Sequence, residues 1–461
     1  MQTIIEPRKN VMLLWRPPCP AQTRYRLMKY LLESETGDGL LLYNVVTSEM
    51  VLLDKSETEM IKRLPLKYTP EMEQLIAEHF LVKEDYDESK LVLELRAVLR
   101  KLDVPERVSG FTILPTTECN ARCYYCFESD HPRCTMTDQI AADTVAYVAK
   151  MCKGDPVDLS WFGGEPLVGM KQINKICAGL REREIQYRSG IVTNGYLFDE
   201  NIVRTAKEDW HLSSAQISLD GTETVYNEVK AYVHPSENPY QRVLRNIDLL
   251  LDQKIAVNVR LNVTAKNATD LGNLVDELAD RFGGEKGFSA YSHAVYEGVG
   301  FDPVTYDGDT REWVDVQTRA LDAKLREKKL LGSLARLPRL NTVHCMSDGD
   351  IARMIYPDGT IGKCENKSSL EGIGDIYQDI VDQEMAARYK ATEQIPGCGE
   401  CPLFPDCIKL VVCPETGKCT RVKTDWKLDR YTALMKDKYQ KYLQDPSAGQ
   451  SENTEKSECE S

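Results

Sequence analysis

The chain has 461 residues with 58 basic and 72 acidic side chains, a formal charge of −14, and at roughly 150 residues per domain this is about three domains with length to bury real cores. A net negative surface argues against a nucleic-acid or anionic-membrane binder, since either draws on a basic footprint. No run of about 18 apolar residues occurs, and the N-terminus lacks a charged start followed by an apolar stretch, so the expectation is a soluble, unexported, cytoplasmic protein.

Residues 1–105 alternate short apolar strands with helical patterns. Tyr30 to Leu32 and Leu40 to Asn44 read as strands around a Gly37-Asp38-Gly39 turn, and Met50 to Leu53 as a third. Ser56 is the expected N-cap of the next helix, with Glu59 completing a capping box. A second helix around Pro70 to His79 leads to Phe80-Leu81-Val82, and together these elements suggest a compact winged-helix-like module.

From Phe111 to about Glu297 a strand is followed by a helix six times over. The strands are expected at Phe111 to Leu114, Val157 to Phe162, Gly190 to Val192, Ala215 to Leu219, Ala256 to Val263 and Phe288 to Val295. Helical patterns fall between them, as at Asp138 to Met151 and Ala268 to Phe282. This alternation predicts an α/β fold over 106–305, a partial (β/α)6 TIM-like barrel whose ligands collect at the carboxyl ends of the strands. Residues 306–340 read as a charged helical connector, 341–425 as a cysteine-rich domain, and 426–461 as a helix and a polar, disordered tail.

Fifteen cysteines are about 3% of the chain, well below the roughly 8–10% of a disulfide scaffold, and a reducing compartment keeps them as thiols. Three fall within eight residues (Cys119, Cys123, Cys126), and seven more fall between Cys345 and Cys419. Close-set cysteines without histidine partners point to metal thiolates, either zinc or iron-sulfur. Cys19, Cys134, Cys152, Cys177 and Cys459 are scattered singly and read as incidental thiols.

Cys119-Asn120-Ala121-Arg122-Cys123-Tyr124-Tyr125-Cys126 directly follows the first strand of the barrel pattern. Three thiolates leave one iron of a 4Fe-4S cube without a protein ligand, whereas electron-transfer clusters have four. This C-x3-C-x2-C spacing, with an aromatic residue before its third cysteine, resembles the radical S-adenosylmethionine superfamily. Trp161-Phe162-Gly163-Gly164-Glu165-Pro166, at the end of the second strand, is similar to that family's GGE segment. Thr193-Asn194-Gly195 and Ser218-Leu219-Asp220-Gly221 end the third and fourth strands in the family's order. The resemblance implies S-adenosyl-L-methionine as cofactor, chelated by the open iron. Tyr125, Gly163, Gly164, Glu165, Asn194 and Ser218 are its expected contacts. The glycines would let the backbone approach the cofactor's ammonium, and Glu165 would orient its loop. Asp220 is equally a ligand or a turn former. Lys230 stands where relatives often carry Arg, so it is either a point charge for the cofactor's carboxylate or a solvated surface charge, and Arg260 is the alternative source of the planar contact. One electron injected into the bound sulfonium would then yield a 5'-deoxyadenosyl radical that removes hydrogen from substrate.

Cys345, Gly359 and Cys364, followed by Cys398-x2-Cys401-x5-Cys407, Cys413 and Cys419, resemble the auxiliary-cluster domain called SPASM. The resemblance implies two further 4Fe-4S clusters, three in all. A distal one would take Cys398, Cys401, Cys407 and Cys419, and a proximal one Cys345, Cys364 and Cys413. Relatives have an additional cysteine where this chain has Ile351, and they have three residues where five separate Cys407 from Cys413. Paired structural zinc sites are the alternative for this region.

Tyr43 to Leu53 with the following helix looks like the peptide-recognition element fused to many enzymes that modify ribosomal peptides. Such an element binds a leader as an added strand, and its alternative is a stabilising cap on the barrel. The whole pattern is similar to a ribosomal-peptide maturase, of the kind that makes sactipeptide or ranthipeptide thioethers. It implies a ribosomally synthesised precursor as partner and a flavodoxin or ferredoxin as reductant, with no nucleic acid and no membrane. A carbon-carbon crosslinking cyclase, a formylglycine-forming sulfatase maturase and a multi-cluster electron carrier are the rival readings. No catalytic residue emerges from spacing.

Overall fold

The structure, a computed structural model, describes residues 1–15, 23–295, 308–332, 336–413 and 419–446. Cys19 and the polar tail with Cys459 lie outside them. In chain order the first elements are β1 (Gln2–Ile5), α1 (Lys9–Leu14), β2 (Arg24–Leu27), β3 (Leu31–Glu35), β4 (Leu40–Asn44), β5 (Met50–Leu53), α2 (Lys55–Ile61), β6 (Leu66–Lys67), α3 (Glu73–Ala77), β7 (Leu81–Lys83) and α4 (Glu88–Leu102). There follow β8 (Gly110–Thr116), α5 (Asp138–Cys152), β9 (Val157–Gly163), α6 (Met170–Glu182), β10 (Tyr187–Thr193), α7 (Glu200–Glu208), β11 (Leu212–Leu219), α8 (Glu223–Lys230), α9 (Pro239–Asp252), β12 (Ala256–Val263), α10 (Leu271–Phe282) and β13 (Phe288–Ala294). The last are α11 (Gly308–Glu327), β14 (Ala352–Ile355), β15 (Thr360–Gly362), β16 (Gly374–Asp375), β17 (Asp379–Ile380), α12 (Gln383–Lys390) and α13 (Arg421–Gln444).

The chain divides into two units: Met1–Val104 with Leu334–His344 and Thr392–Ser461, and Pro105–Ser333 with Cys345–Ala391. In the second unit the strand order β13-β12-β11-β10-β9-β8 follows the sequence, all parallel, as six successive strand-helix units require. β14 then pairs parallel to β8, and β15, β16 and β17 add antiparallel. On β9, Val157, Leu159 and Trp161 are buried, while Asp158, Ser160 and Phe162 are half-buried. One face is therefore buried in the core while the other is only half-buried. The helices supply the matching stripe, as with Ile173, Ile176, Cys177 and Leu180 of α6. Register sets Ser218, Arg260 and Tyr291 side by side on β11, β12 and β13. The charged stretch expected as a connector forms α11, whose Val314, Leu321 and Leu325 join the core of this sheet.

The first unit holds two antiparallel sheets, β1-β5-β4-β3 and β6-β2-β7. Every residue of β4 is buried. The capping box of α2 falls two residues earlier than expected. Asp54 accepts from the Glu57 amide at 2.9 Å, and Glu57 accepts from the Asp54 amide at 2.9 Å. Both frames carry a short acceptor three residues before a Glu, and the one at the exit of β5 wins because its extended backbone precedes the first helical turn. Residues 341–425 do not form one unit. Residues 345–391 continue the large sheet, and the rest joins the N-terminal core, where Leu337, Leu340 and Leu403 pack with Leu41 and Val92. No helix among the described residues is long and apolar enough to cross a membrane.

Candidate functional site

The cysteine loop leaves β8 where that strand's side chains are already buried, so its start is fixed by the sheet. Cys119, Cys123 and Cys126 lie near enough to feel one another's charge, and Cys119, Cys126 and Gly164 line one recess with Thr117, Ala121 and Arg122. Burial pushes the Cys119 thiol up to about 12 and Cys126 up to about 11, and it raises Cys123 as well. A metal displaces the proton of such a thiol, so the three could serve as thiolate ligands, although among the described residues no group of three Cys, His, Asp or Glu stands at metal-ligand spacing. The buried Asn120 amide nitrogen has no protein partner and adds a free donor beside the loop.

The second strand's motif is packed against this loop. A Cβ on Gly164 would stand 2.5 Å from the Glu118 carbonyl oxygen and 2.6 Å from that of Thr117. Gly163 has φ +112°, where a side chain is strained. On this evidence the glycines serve close approach of β9 to the start of the cysteine loop. The Glu165 amide donates to the Glu118 carbonyl at 2.9 Å. The Glu165 carboxylate is fully buried and accepts from Thr193 Oγ1 (2.8 Å), the Asn194 amide (2.8 Å) and the Leu167 amide (3.1 Å). Burial raises its pKa while these donors pull it down. It thus ties the end of β9 to the end of β10, and Asn194 Nδ2 donates onward to Asn120 Oδ1 at 2.7 Å.

Asp220, fully buried at the end of β11, is a hub rather than a turn former. It accepts from the Tyr125 hydroxyl at 2.5 Å and from Asn262 Nδ2 at 3.1 Å, and it pairs with Lys230 Nζ at 2.9 Å. Lys230 is only 2% exposed, which overturns the surface reading, and it also donates to Ser218 Oγ at 2.6 Å. Arg260 is part-buried beside Tyr291 and Glu365, and its charge opposes the rise that burial imposes on both. Asp220's partners and the free Asn120 donor escape a sequence reading, because nothing local marks which side chains point inward.

The C-terminal cysteines divide with the units. Cys345 and Cys364 belong to the unit of the large sheet; Cys398, Cys401, Cys407, Cys413 and Cys419 belong to the other. Cys345 Sγ accepts from the Ser347 amide at 3.4 Å, and Cys364 lies near Tyr356 and Tyr389. Burial raises Cys398 and Cys401, and each also feels Cys407 and Cys419. These four therefore lie within electrostatic reach of one another. Lys409 lies among them, its ammonium disfavoured by burial but held up by Cys407, Cys419 and Cys398. Arg96 of α4, a helix the sequence reading passes over, donates to the carbonyls of Asn341 (2.9 Å), Phe404 (3.1 Å) and Pro405 (3.0 Å) and so holds the turn before Cys407. Cys152 and Cys177 are buried among apolar side chains, as incidental thiols are.

Residues 113–277 match the family model of the radical SAM superfamily. In fold the chain is similar to anSMEcpe with bound AdoMet, at 14% identity and a TM-score of 0.54, over 72% of this chain and 98% of that one. It is also similar to anSMEcpe with bound AdoMet and Cp18Cys peptide, at 17% identity and 0.51, over 74% and 98%. Streptococcus suis SuiB bound to precursor peptide SuiA aligns at 14% identity and 0.48, over 84% and 94%. No curated protein matches the chain. The parallel sheet is thus of radical SAM type, and the chain carries a radical SAM domain over it.

Proposed function

We propose that the protein is a radical S-adenosylmethionine enzyme that matures a ribosomally made peptide by forming an intramolecular crosslink, from a cysteine sulfur to carbon. The observation that carries this reading is the cysteine loop at the carboxyl edge of the parallel sheet, backed by Gly163, Gly164 and the buried Glu165. Cys119, Cys123 and Cys126 would hold a cube with one open iron, and Asn194, Ser218 and Arg260 stand at neighbouring strand ends to receive S-adenosylmethionine. When bound, cluster and cofactor supply a one-electron cleavage that lets hydrogen be taken from an unactivated carbon. The chain's own part is to orient that chemistry and keep water from it, which the buried loop anchors favour.

A peptide substrate is supported by the fold's likeness to anSMEcpe, whose structure includes a Cp18Cys peptide. It is supported also by β3, an outer strand of its sheet, next to a recess of about 240 Å³ lined by Leu27, Glu33, Leu40, Ile61 and Lys62. An added strand fits such an edge. For the auxiliary clusters, the mutual electrostatic reach of Cys398, Cys401, Cys407 and Cys419 supports the distal set. The test is mass spectrometry of a precursor co-expressed with the enzyme under reducing, anaerobic conditions. A thioether lowers the mass by two hydrogens and protects one cysteine from alkylation. An unchanged mass sinks the reading, and loss of two hydrogens with every thiol still alkylated sinks the thioether.

A further inference from the structure

The polar groups beneath the cysteine loop form a closed set. Lys230, the last residue of α8, reaches Asp220 at 2.9 Å and Ser218 at 2.6 Å, and its side chain is 3% exposed. Asp220 takes the Tyr125 hydroxyl at 2.5 Å, and Asn262 Nδ2 donates to that same hydroxyl at 2.9 Å. Tyr125 sits between Cys123 and Cys126 in the chain, so the hydrogen bond that fixes its ring also fixes the spacing of two thiols. The backbone repeats the attachment. The Arg122 amide donates to the Lys230 carbonyl at 2.8 Å, and the Val233 amide donates to the Asn120 carbonyl at 2.8 Å.

Burial alone would push the Lys230 ammonium down, but Asp220, Tyr125 and Cys123 together hold it well above the ordinary lysine range. Lys230 Nζ, bonded to Asp220 and Ser218, thus sets a buried ammonium beneath the loop that carries Cys123, with the Asp220 carboxylate as its paired opposite charge. A cube carrying three thiolates gains negative charge when reduced, and net charge near the sulfurs is one of the levers that set its potential.

We propose that Lys230, Asp220 and Tyr125 form a buried clamp that positions the cysteine loop and sets the reduction potential of the cube held there. Lys230 acts as a fixed charge within the protein rather than as a counter-ion to the cofactor. All three are positioning residues, acting on the reaction through the cluster. The inference rests on the cluster reading above.

The experiment is a redox titration of the full-length, iron-reconstituted protein, followed by electron paramagnetic resonance at the signal that changes when S-adenosylmethionine is added. Lys230→Met should make one-electron reduction about tenfold less favourable, a shift of ~59 mV downward. Asp220→Asn should shift it upward by a similar factor, and Lys230→Arg should leave it in place. A purely structural role would lower iron content in both variants without splitting their potentials in opposite directions. Where a single variant loses iron, the doubly neutral D220N/K230M leaves no unpaired buried ion, and its potential is expected between those of the two single variants. Shifts of the same sign, an unmoved potential with full iron, or loss of the signal in K230R overturn the clamp. A wild-type protein that binds no iron and sulfide at the loop overturns the cluster reading itself, so the two failures are told apart.

Discussion

The two cysteine regions that the chain sets apart by sequence are built in opposite ways. The loop at 119–126 hangs from the end of a buried parallel strand, and its neighbours Glu165 and Asp220 are fully buried, each engaged by at least two donors. Among its described residues the run at 398–419 has almost no regular structure: one short 3-10 turn, an isolated bridge between Thr392 and Leu410, and an exposed Cys419. Its order comes from Arg96 donating to its carbonyls, from Asn341 bonded to Asp406 and from Leu403 in the N-terminal core. The first region is preorganised by a sheet. The second is held by side chains from other elements, and a metal bound there would couple to its local folding.

Four measurements bear on that contrast, from the largest effect downward. Cys123→Ala should abolish 5'-deoxyadenosine formation from S-adenosylmethionine while leaving iron in the C-terminal set. Retained turnover would break the assignment of the first loop. Gly164→Ala forces a Cβ onto two carbonyls and should cost ~2 kcal/mol in urea unfolding, together with most of the iron of the first cluster. Wild-type stability would mean that the loop yields more easily than a preorganised site should. Arg96→Met strips the donor from three carbonyls and should cost about 2 kcal/mol. It should lower C-terminal iron and spare the signal that responds to S-adenosylmethionine; loss of both signals would erase the distinction between the regions.

The smallest effect compares two buried carboxyls. Glu165 has three donors, whereas Glu49 of β5's approach is 2% exposed, leaves one oxygen without a partner and faces Glu78. Burial first, then the Glu78 charge, raise Glu49 above the ordinary carboxylate value of 4.5. A raised carboxyl favours the protonated native state, so its stabilisation is complete below the unfolded value and is lost as pH rises through the folded one. The N-terminal unit should therefore weaken as pH climbs from about 4.5 through the neutral range, and Glu49→Gln should flatten that slope in thermal melts. An unchanged slope would remove Glu49 from the account.

Much of this was readable beforehand. The six strands and the cysteine loop announce themselves because apolar runs, glycines and clustered cysteines are local signals. β4 and β5 fall where the pattern sets them, and β12 matches to the residue. What stayed hidden depends on distance in space. Lys230 looks like any surface lysine until Asp220 and Ser218 are found beside it. α4, carrying Val92, Leu95 and Leu99 on one stripe, is obscured by its charged residues. The Asp54 frame and the Ser56 frame of the capping box differ only in where β5 ends.

The discontinuity of the two units carries one more consequence, for synthesis. The large sheet's six sequential parallel strands are complete by Ala294, whereas the N-terminal unit waits for Leu334–His344 and then for Thr392 onward. At roughly 5–20 residues per second on the ribosome, the first hundred residues emerge early yet stand without Leu337, Leu340 and Tyr439 for tens of seconds. During that interval the apolar faces those residues will cover are open, and the part made first is finished last.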